Sequence, residues 1–198
     1  MSILSSIKSL MAGSSPRHFP FSGVGSLLLS DIAGFSSTAS EIPALELFKV
    51  MGRIITAEHH FIHESHGFMP YTRVTEVVLA VWGLSGSRSS HADLAVKTAK
   101  KILAEARTVQ AETGFSLQVR VAVTTGEMTV DTIGGRTQVF GAPFSTAQRL
   151  LELAAPHRSQ LLYTSETLEL TYERRVSAPI ATTRGCSGQD VPVFEFTL

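Results

Sequence analysis

Between Leu27 and Phe35 an apolar run ends in Asp31, and Ile32-Ala33-Gly34-Phe35 follows before a long amphipathic segment. Apolar residues bounded by Gly25 and Asp31 read as a buried strand over Val24–Ser30. A carboxylate at the end of such a strand, with the free N–H groups of a glycine turn beside it, suits a metal-bound polyphosphate. Glu76, forty-five positions further on, heads a second apolar run, Val77-Val78-Leu79-Ala80-Val81-Trp82. Two acids at two strand edges can share a pair of divalent metals. The alternative at this point is that Asp31 caps the coming helix.

The rest of the chain supplies a periodic framework for those two strands. Pro43 suits the first turn of a helix. Leu45, Phe48, Gly52, Ile55, His59 and Ile62 recur at three- and four-residue steps and predict one buried face, ending near Gly67. Phe68–Val74 and Val77–Trp82 follow as a strand pair. Leu94, Val96, Ala99, Ile102, Leu103 and Ala106 mark a second helix. Leu117–Val123 alternates as a strand, and Thr125-Gly126-Glu127 is expected to turn it into Met128–Ile133. Gly134-Gly135 reads as another turn. A third helix is expected from Phe144 to Ala155, stopped by Pro156. A strand Gln160–Tyr163, a short helix Ser165–Leu170 and a strand Pro192–Phe196 close the chain. The order β-α-β-β-α-β with a C-terminal α/β extension is an α+β, ferredoxin-like pattern. Residues 1–20, ending in a Gly-Ser-Ser-Pro linker composition, read as an N-terminal extension to one domain over 21–198.

Composition matters mainly for what it excludes. The 198 residues carry zero formal net charge, which gives no electrostatic basis for nucleic acid or an anionic membrane as partner. The lone cysteine, Cys186, rules out an internal disulfide and fits a reducing compartment. No stretch reaches the ~20 apolar residues of a membrane span, and the first residues make a poor secretory signal, so a cytoplasmic location is expected. His59, His60, His63 and His66 cluster, with His59 and His63 on one helix face at a spacing able to hold zinc. The order is not His-Glu-x-x-His and a third ligand is missing, so these read as polar helix positions with His59 tucked inward. Trp82 and Phe35 read as core aromatics.

Five segments then occur in a telling order: Ser30-Asp31-Ile32-Ala33-Gly34-Phe35, Leu79-Ala80-Val81-Trp82-Gly83, Arg120 through Glu127, Val139-Phe140-Gly141, and Ala147-Gln148-Arg149-Leu150. Together they resemble the catalytic domain of class III nucleotidyl cyclases, over about residues 24–197. The resemblance implies a homodimer with shared sites, in which a nucleoside triphosphate becomes a 3′,5′-cyclic monophosphate and pyrophosphate with two Mg2+ or Mn2+ ions. On that resemblance Asp31 is the first metal ligand and Glu76 stands where the second aspartate is usual. The Ile32 carbonyl is an extra ligand, and Ile32, Ala33, Gly34 and Phe35 form the phosphate nest. Thr72 and Ala142 occupy the two base-selecting positions, normally lysine and aspartate. Ser145 stands for the transition-state asparagine, Arg149 is the retained transition-state arginine, and Arg184 corresponds to a triphosphate-binding lysine.

The departures are chemically uneven. Threonine lacks the lysine's charge and alanine has no acceptor, so base discrimination suffers first. Glu76 adds about 1.5 Å of reach to a site whose metal wants near-ideal octahedral placement. Serine is shorter than asparagine, and losing one such donor commonly costs about 3 kcal/mol in the transition state. The expected outcome is a degenerate cyclase with weak or no activity, kept as a nucleotide-binding or regulatory interaction module. The alternative is an active enzyme with non-standard base choice, pyrimidines included. A third role is as heterodimeric partner of a complete cyclase chain.

Overall fold

The computed structural model describes residues 20–33, 43–70, 77–84, 90–115, 117–172 and 178–196. Strand β1 (Phe21–Ala33) is followed by helix α1 (Ala44–Glu64), β2 (Val77–Trp82), α2 (His91–Thr113), β3 (Gln118–Ile133) and β4 (Arg136–Phe140). Then come α3 (Ala142–His157), β5 (Leu161–Thr164), α4 (Ser165–Leu168), β6 (Ala181–Arg184) and β7 (Asp190–Glu195). The sheet runs β2-β1-β3-β5-β7-β6, with β4 paired to β3. Only β3 and β5 are parallel; the other pairs are antiparallel. Phe68 exchanges both backbone hydrogen bonds with Val81 at 2.8 Å, so the expected pairing of the segment after α1 with β2 is present where the chain is described. This is the expected α+β architecture.

Strand alternation splits the core in two. Leu28, Val78, Ala80, Val119, Val121 and Val123 face α1 and α2. Leu27, Leu29, Ala122, Met128 and Leu162 face α3, meeting Ala147, Leu150, Leu151 and Ala154. Burying both faces explains why Leu27-Leu28-Leu29 is apolar without a break. Trp82 is buried as expected, its Nε1 donating to the Ser65 carbonyl at 3.1 Å.

Three expectations need correction. The buried face of α1 is Leu47, Val50, Met51, Ile54, Glu58 and Ile62. Leu45 and Phe48 are 65% and 74% exposed. The helix carries two apolar stripes, and the one that packs includes a buried glutamate, which makes it read as the polar side.

Secondly, Thr125-Gly126-Glu127 is no turn: β3 runs unbroken for 16 residues. Gly126 serves a close approach instead, since a Cβ there would lie 2.5 Å from Cys186 Cβ. The chain reverses at Gly134-Gly135, both with positive φ (60° and 73°), as a hairpin turn of this length requires.

Finally, Pro156 lies inside α3, which ends at His157, and β6 had no expected counterpart.

Candidate active site

The pairing of β1 with β3 places Asp31 opposite Arg120. Asp31 lies within β1, and α1 begins at Ala44 behind Pro43. Arg120 Nε donates to Asp31 Oδ1 at 2.9 Å and Nη2 donates to Oδ2 at 2.5 Å, a side-on bidentate pair. Arg120 and Asp31 are 15% and 20% exposed, so the pair is mostly enclosed, near the end of a strand with neighbours on both sides. Sequence reasoning passed over Arg120; the signal available was an acid and a base each flanking an apolar run on strands that pair. Ile32 is buried in the core facing α1 and α2, and Ala33 ends the strand. Gly34, Phe35, Thr72 and Glu76 lie outside the described residues, as do the neighbouring Tyr71 and Arg73. The histidines form no metal-binding group among the described residues. His59 Nε2 is buried without a partner, and burial holds its pKa below the usual value.

A second group gathers at the N-terminus of α3. Ala142 opens the helix and Ser145 Oγ donates to the Ala142 carbonyl at 3.1 Å, within its own first turn. Arg149, one turn further, donates from Nη2 to Thr146 Oγ1 at 2.9 Å and to the Arg184 carbonyl at 2.7 Å. Its Nε is buried without a partner. Arg184 thus joins the group through its backbone, while its side chain points outward, 3.9 Å from Asp190. The turn after β6 is clamped by Glu166, which accepts the N–H groups of Cys186 and Ser187 at 3.0 and 2.9 Å. Burial raises the Glu166 pKa, but those N–H groups together with the Ser187 and Thr164 hydroxyls hold the carboxyl below its usual value. Burial first, and then the Glu166 charge, push the Cys186 thiol up to about 12, so it is not a nucleophile.

The two groups are positioned separately along β3. Gly141, which precedes α3, rests on the Glu127 carbonyl, and Glu127 stands seven positions beyond Arg120 on the same strand, about 23 Å at the strand rise. At the Arg149 end a cleft of about 490 Å³ opens beside Gly23, Glu127, Phe140 and Gly141.

A family model described as "Adenylate and Guanylate cyclase catalytic domain" matches residues 21–178. Among curated relatives, the uncharacterized proteins Rv1320c and Rv1319c of Mycobacterium tuberculosis are 26% and 24% identical over 168 and 165 residues. Those stretches take in 82% and 81% of this chain but 29% of each relative, so the chain spans under a third of their length. Among solved structures, the guanylyl cyclase Cya2 superposes with a TM-score of 0.73 at 21% identity, covering 89% of this chain and 92% of that one. The adenylyl cyclase CyaB from P. aeruginosa gives 0.74 at 17%, covering 90% and 95%. The guanylate cyclase domain of RhGC from Catenaria anguillulae, solved in complex with GTP, gives 0.68 at 17%, covering 86% and 93%. With the family model extending over most of its residues, the chain belongs to the adenylate and guanylate cyclase catalytic-domain family.

Proposed function

We propose that residues 21–198 form a nucleotidyl cyclase homology domain that binds a nucleoside triphosphate between two chains and turns it over weakly or not at all. The observation that carries this reading is the separate anchoring of the two parts of the site. Asp31 lies on β1 opposite Arg120, while Arg149 is held on α3 by Thr146 and the Arg184 carbonyl. A two-fold, head-to-tail pair of chains brings each Asp31 to its partner's Arg149 and builds two equivalent sites. Half-exposed Val24 and Phe140, both at the Arg149 end, supply apolar surface for that contact.

At the Asp31 end, the carboxylate oxygens and the Ile32 carbonyl are hard donors that suit Mg2+ or Mn2+, provided Arg120 moves aside. Asp31 and the Ile32 carbonyl would hold such an ion, which when bound would supply Lewis-acid activation of the ribose 3′-hydroxyl and offset triphosphate charge. The chain's own contributions are modest. Arg149, anchored by the Arg184 carbonyl and Thr146, offers a fixed cation to an α-phosphoryl oxygen. Ser145 spends its proton on the Ala142 carbonyl, and its short side chain leaves the phosphoryl oxygen one donor poorer. Ala142 presents a methyl group to the base. The reading is of a nucleotide-binding or regulatory module in the cytoplasm, where triphosphates are abundant, with residues 1–20 as an extension. No helix among the described residues is long and apolar enough to cross a membrane.

A second reading, an active cyclase with non-standard base choice, draws on the cleft at the Arg149 end. Its carboxylate is Glu127, in a place where Ala142 supplies none. The test is product analysis by mass spectrometry after incubation with ATP, GTP, CTP and UTP, in Mg2+ and in Mn2+, beside Asp31→Ala. No cyclic product, with triphosphate binding by calorimetry, is the expected result. A cyclic monophosphate missing from the variant would establish the active enzyme and name its base.

A further inference from the structure

We infer that Glu166 is a positioning residue for Arg149, acting through the backbone of the turn that joins β6 to β7. This rests on the reading of Arg149 as a phosphate-binding residue. Arg149 is held through Nη2, which donates to the Arg184 carbonyl at 2.7 Å and to Thr146 Oγ1 at 2.9 Å. Its Nε finds no partner among the described residues. The Thr146 hydroxyl leans on the same carbonyl, at 3.3 Å. One backbone oxygen therefore holds both the guanidinium and its neighbour, and the place of that oxygen sets where the charge points.

Arg184 is the last residue of β6, a four-residue strand at the edge of the sheet, so its carbonyl is only as fixed as the turn that follows. Within that turn the Gly185 N–H donates to the Gln189 carbonyl at 2.8 Å and the Gly188 N–H to the Gly185 carbonyl at 3.1 Å. The two N–H groups between them, of Cys186 and Ser187, are taken by the two carboxylate oxygens of Glu166 at 3.0 and 2.9 Å. Glu166 reaches them from α4, which is tied to β3 by the Thr167 hydroxyl on the Val123 carbonyl at 3.3 Å. Gly185 lets the turn close round the carboxylate, since a Cβ there would lie 3.0 Å from Glu166 Oε1.

The chemistry of the clamp suits the task. Burial works against the Glu166 charge, yet its pKa stays below the usual value, so the carboxylate is ionised and its hydrogen bonds are of the strong, charge-assisted kind. Cys186 lies within electrostatic reach of both Glu166 and Arg149. A free carboxylate in that neighbourhood would compete with a phosphate for the arginine. Committed to the turn, it leaves Arg149 to a neutral carbonyl, which fixes the guanidinium without cancelling its charge. The support is of the kind that holds a binding group to a narrow range of positions before its ligand arrives.

The experiment is a double-variant cycle on the full chain, with inorganic triphosphate in Mg2+ as probe and calorimetry as readout. Glu166→Gln keeps the shape but sets an amide donor against one of the two N–H groups, and should weaken triphosphate binding about tenfold. Glu166→Asp, with its charge on a shorter stem, should fall between. In an Arg149→Ala background Glu166→Gln should cost nothing further, because the group it positions is gone. A second readout needs no ligand. The Arg149 Nε–Hε resonance of 15N-labelled protein, identified by its loss in Arg149→Lys, should shift in Glu166→Gln and return towards its wild-type place in Glu166→Asp. Should the glutamine variant fail to fold, the aspartate variant reads both quantities. Where Arg149→Ala alone weakens binding, an equal loss from Glu166→Gln in both backgrounds, or an unmoved resonance, overturns the positioning role and leaves Arg149 as a phosphate ligand. Triphosphate binding that is absent, or indifferent to Arg149→Ala, overturns the phosphate reading instead, and the resonance alone then decides whether Glu166 positions Arg149.

Discussion

Glu58 is buried to 2% exposure on the inner face of α1, where its carboxyl meets the hydroxyl of Ser30 at 2.5 Å. Burial lifts its pKa from 4.5 to about 7, against the opposing pull of the Ser30 hydrogen bond. The sign follows from proton uptake. The folded chain holds this proton up to about pH 7, while the unfolded chain releases it near 4.5, so folding is favoured at low pH and penalised as pH rises across that interval. Between pH 5 and pH 8 the penalty amounts to about 2–3 kcal/mol. Glu58→Gln keeps the shape and removes the ionisation. Urea unfolding of both proteins at several pH values isolates the effect, because every other titrating group cancels in the difference. The glutamine variant should gain about 2–3 kcal/mol on the wild type between pH 5 and 8, or about 5–10 °C in Tm for a chain of this size. In Ser30→Ala, with the opposing hydrogen bond gone, the midpoint of the pH dependence should move higher. Parallel pH profiles for wild type and Glu58→Gln would refute the reasoning, since they would mean the carboxyl titrates alike in both states.

Further outcomes follow from the packing around α3 and the Cys186 turn. Gly126→Ala would drive a methyl into Cys186, whose turn is pinned by Glu166, and should cost about 1–3 kcal/mol in urea unfolding. A loss under 0.5 kcal/mol would show that the turn retreats freely. With its thiol pushed up to about 12, Cys186 should react with N-ethylmaleimide at pH 8 at least tenfold more slowly in the native chain than in guanidinium; equal rates would contradict the burial. Ser159 is fully buried with no partner for its hydroxyl, so Ser159→Ala should be neutral or stabilising in a thermal melt. A drop in stability above about 1 kcal/mol would reveal a hydrogen bond that the hydroxyl makes.

Sequence reasoning found the elements wherever a single physical signal dominated. Leu27-Leu28-Leu29 is apolar because β1 is covered on both faces, and Val96, Ala99, Ile102, Leu103 and Ala106 of α2 are buried at helical spacing. It failed where two signals competed. On α1 a buried Glu58 disguised the core stripe, while Leu45 and Phe48 offered an apolar face that solvent keeps. At Gly126 a residue that turns chains elsewhere was needed for its missing side chain. β6 went unseen because Ala-Thr-Thr-Arg has no apolar alternation to betray it; pairing with β7 makes it a strand. Asp31 and Glu76 drew notice as acids beside apolar runs, while the other candidate positions were legible only through family resemblance. The Arg120–Asp31 pair depends on strand register, which no local pattern encodes.

The β1–β3 pairing also governs how this chain is made. Ala33 lies beside Gln118 and Phe21 beside Val130, so the central seam of the sheet joins residues 85 to 109 positions apart in the chain. Contacts of that span fold slowly, because a long loop must close before any pairing compensates it. As the polypeptide leaves the ribosome, β1 emerges early and has only β2 for company until the second half is synthesised. For that time Leu27-Leu28-Leu29 forms an open, apolar edge, the kind of strand that recruits other chains. A nascent chain arrested anywhere in α2 would present that edge permanently, which makes β1 the place where a chaperone has most to protect.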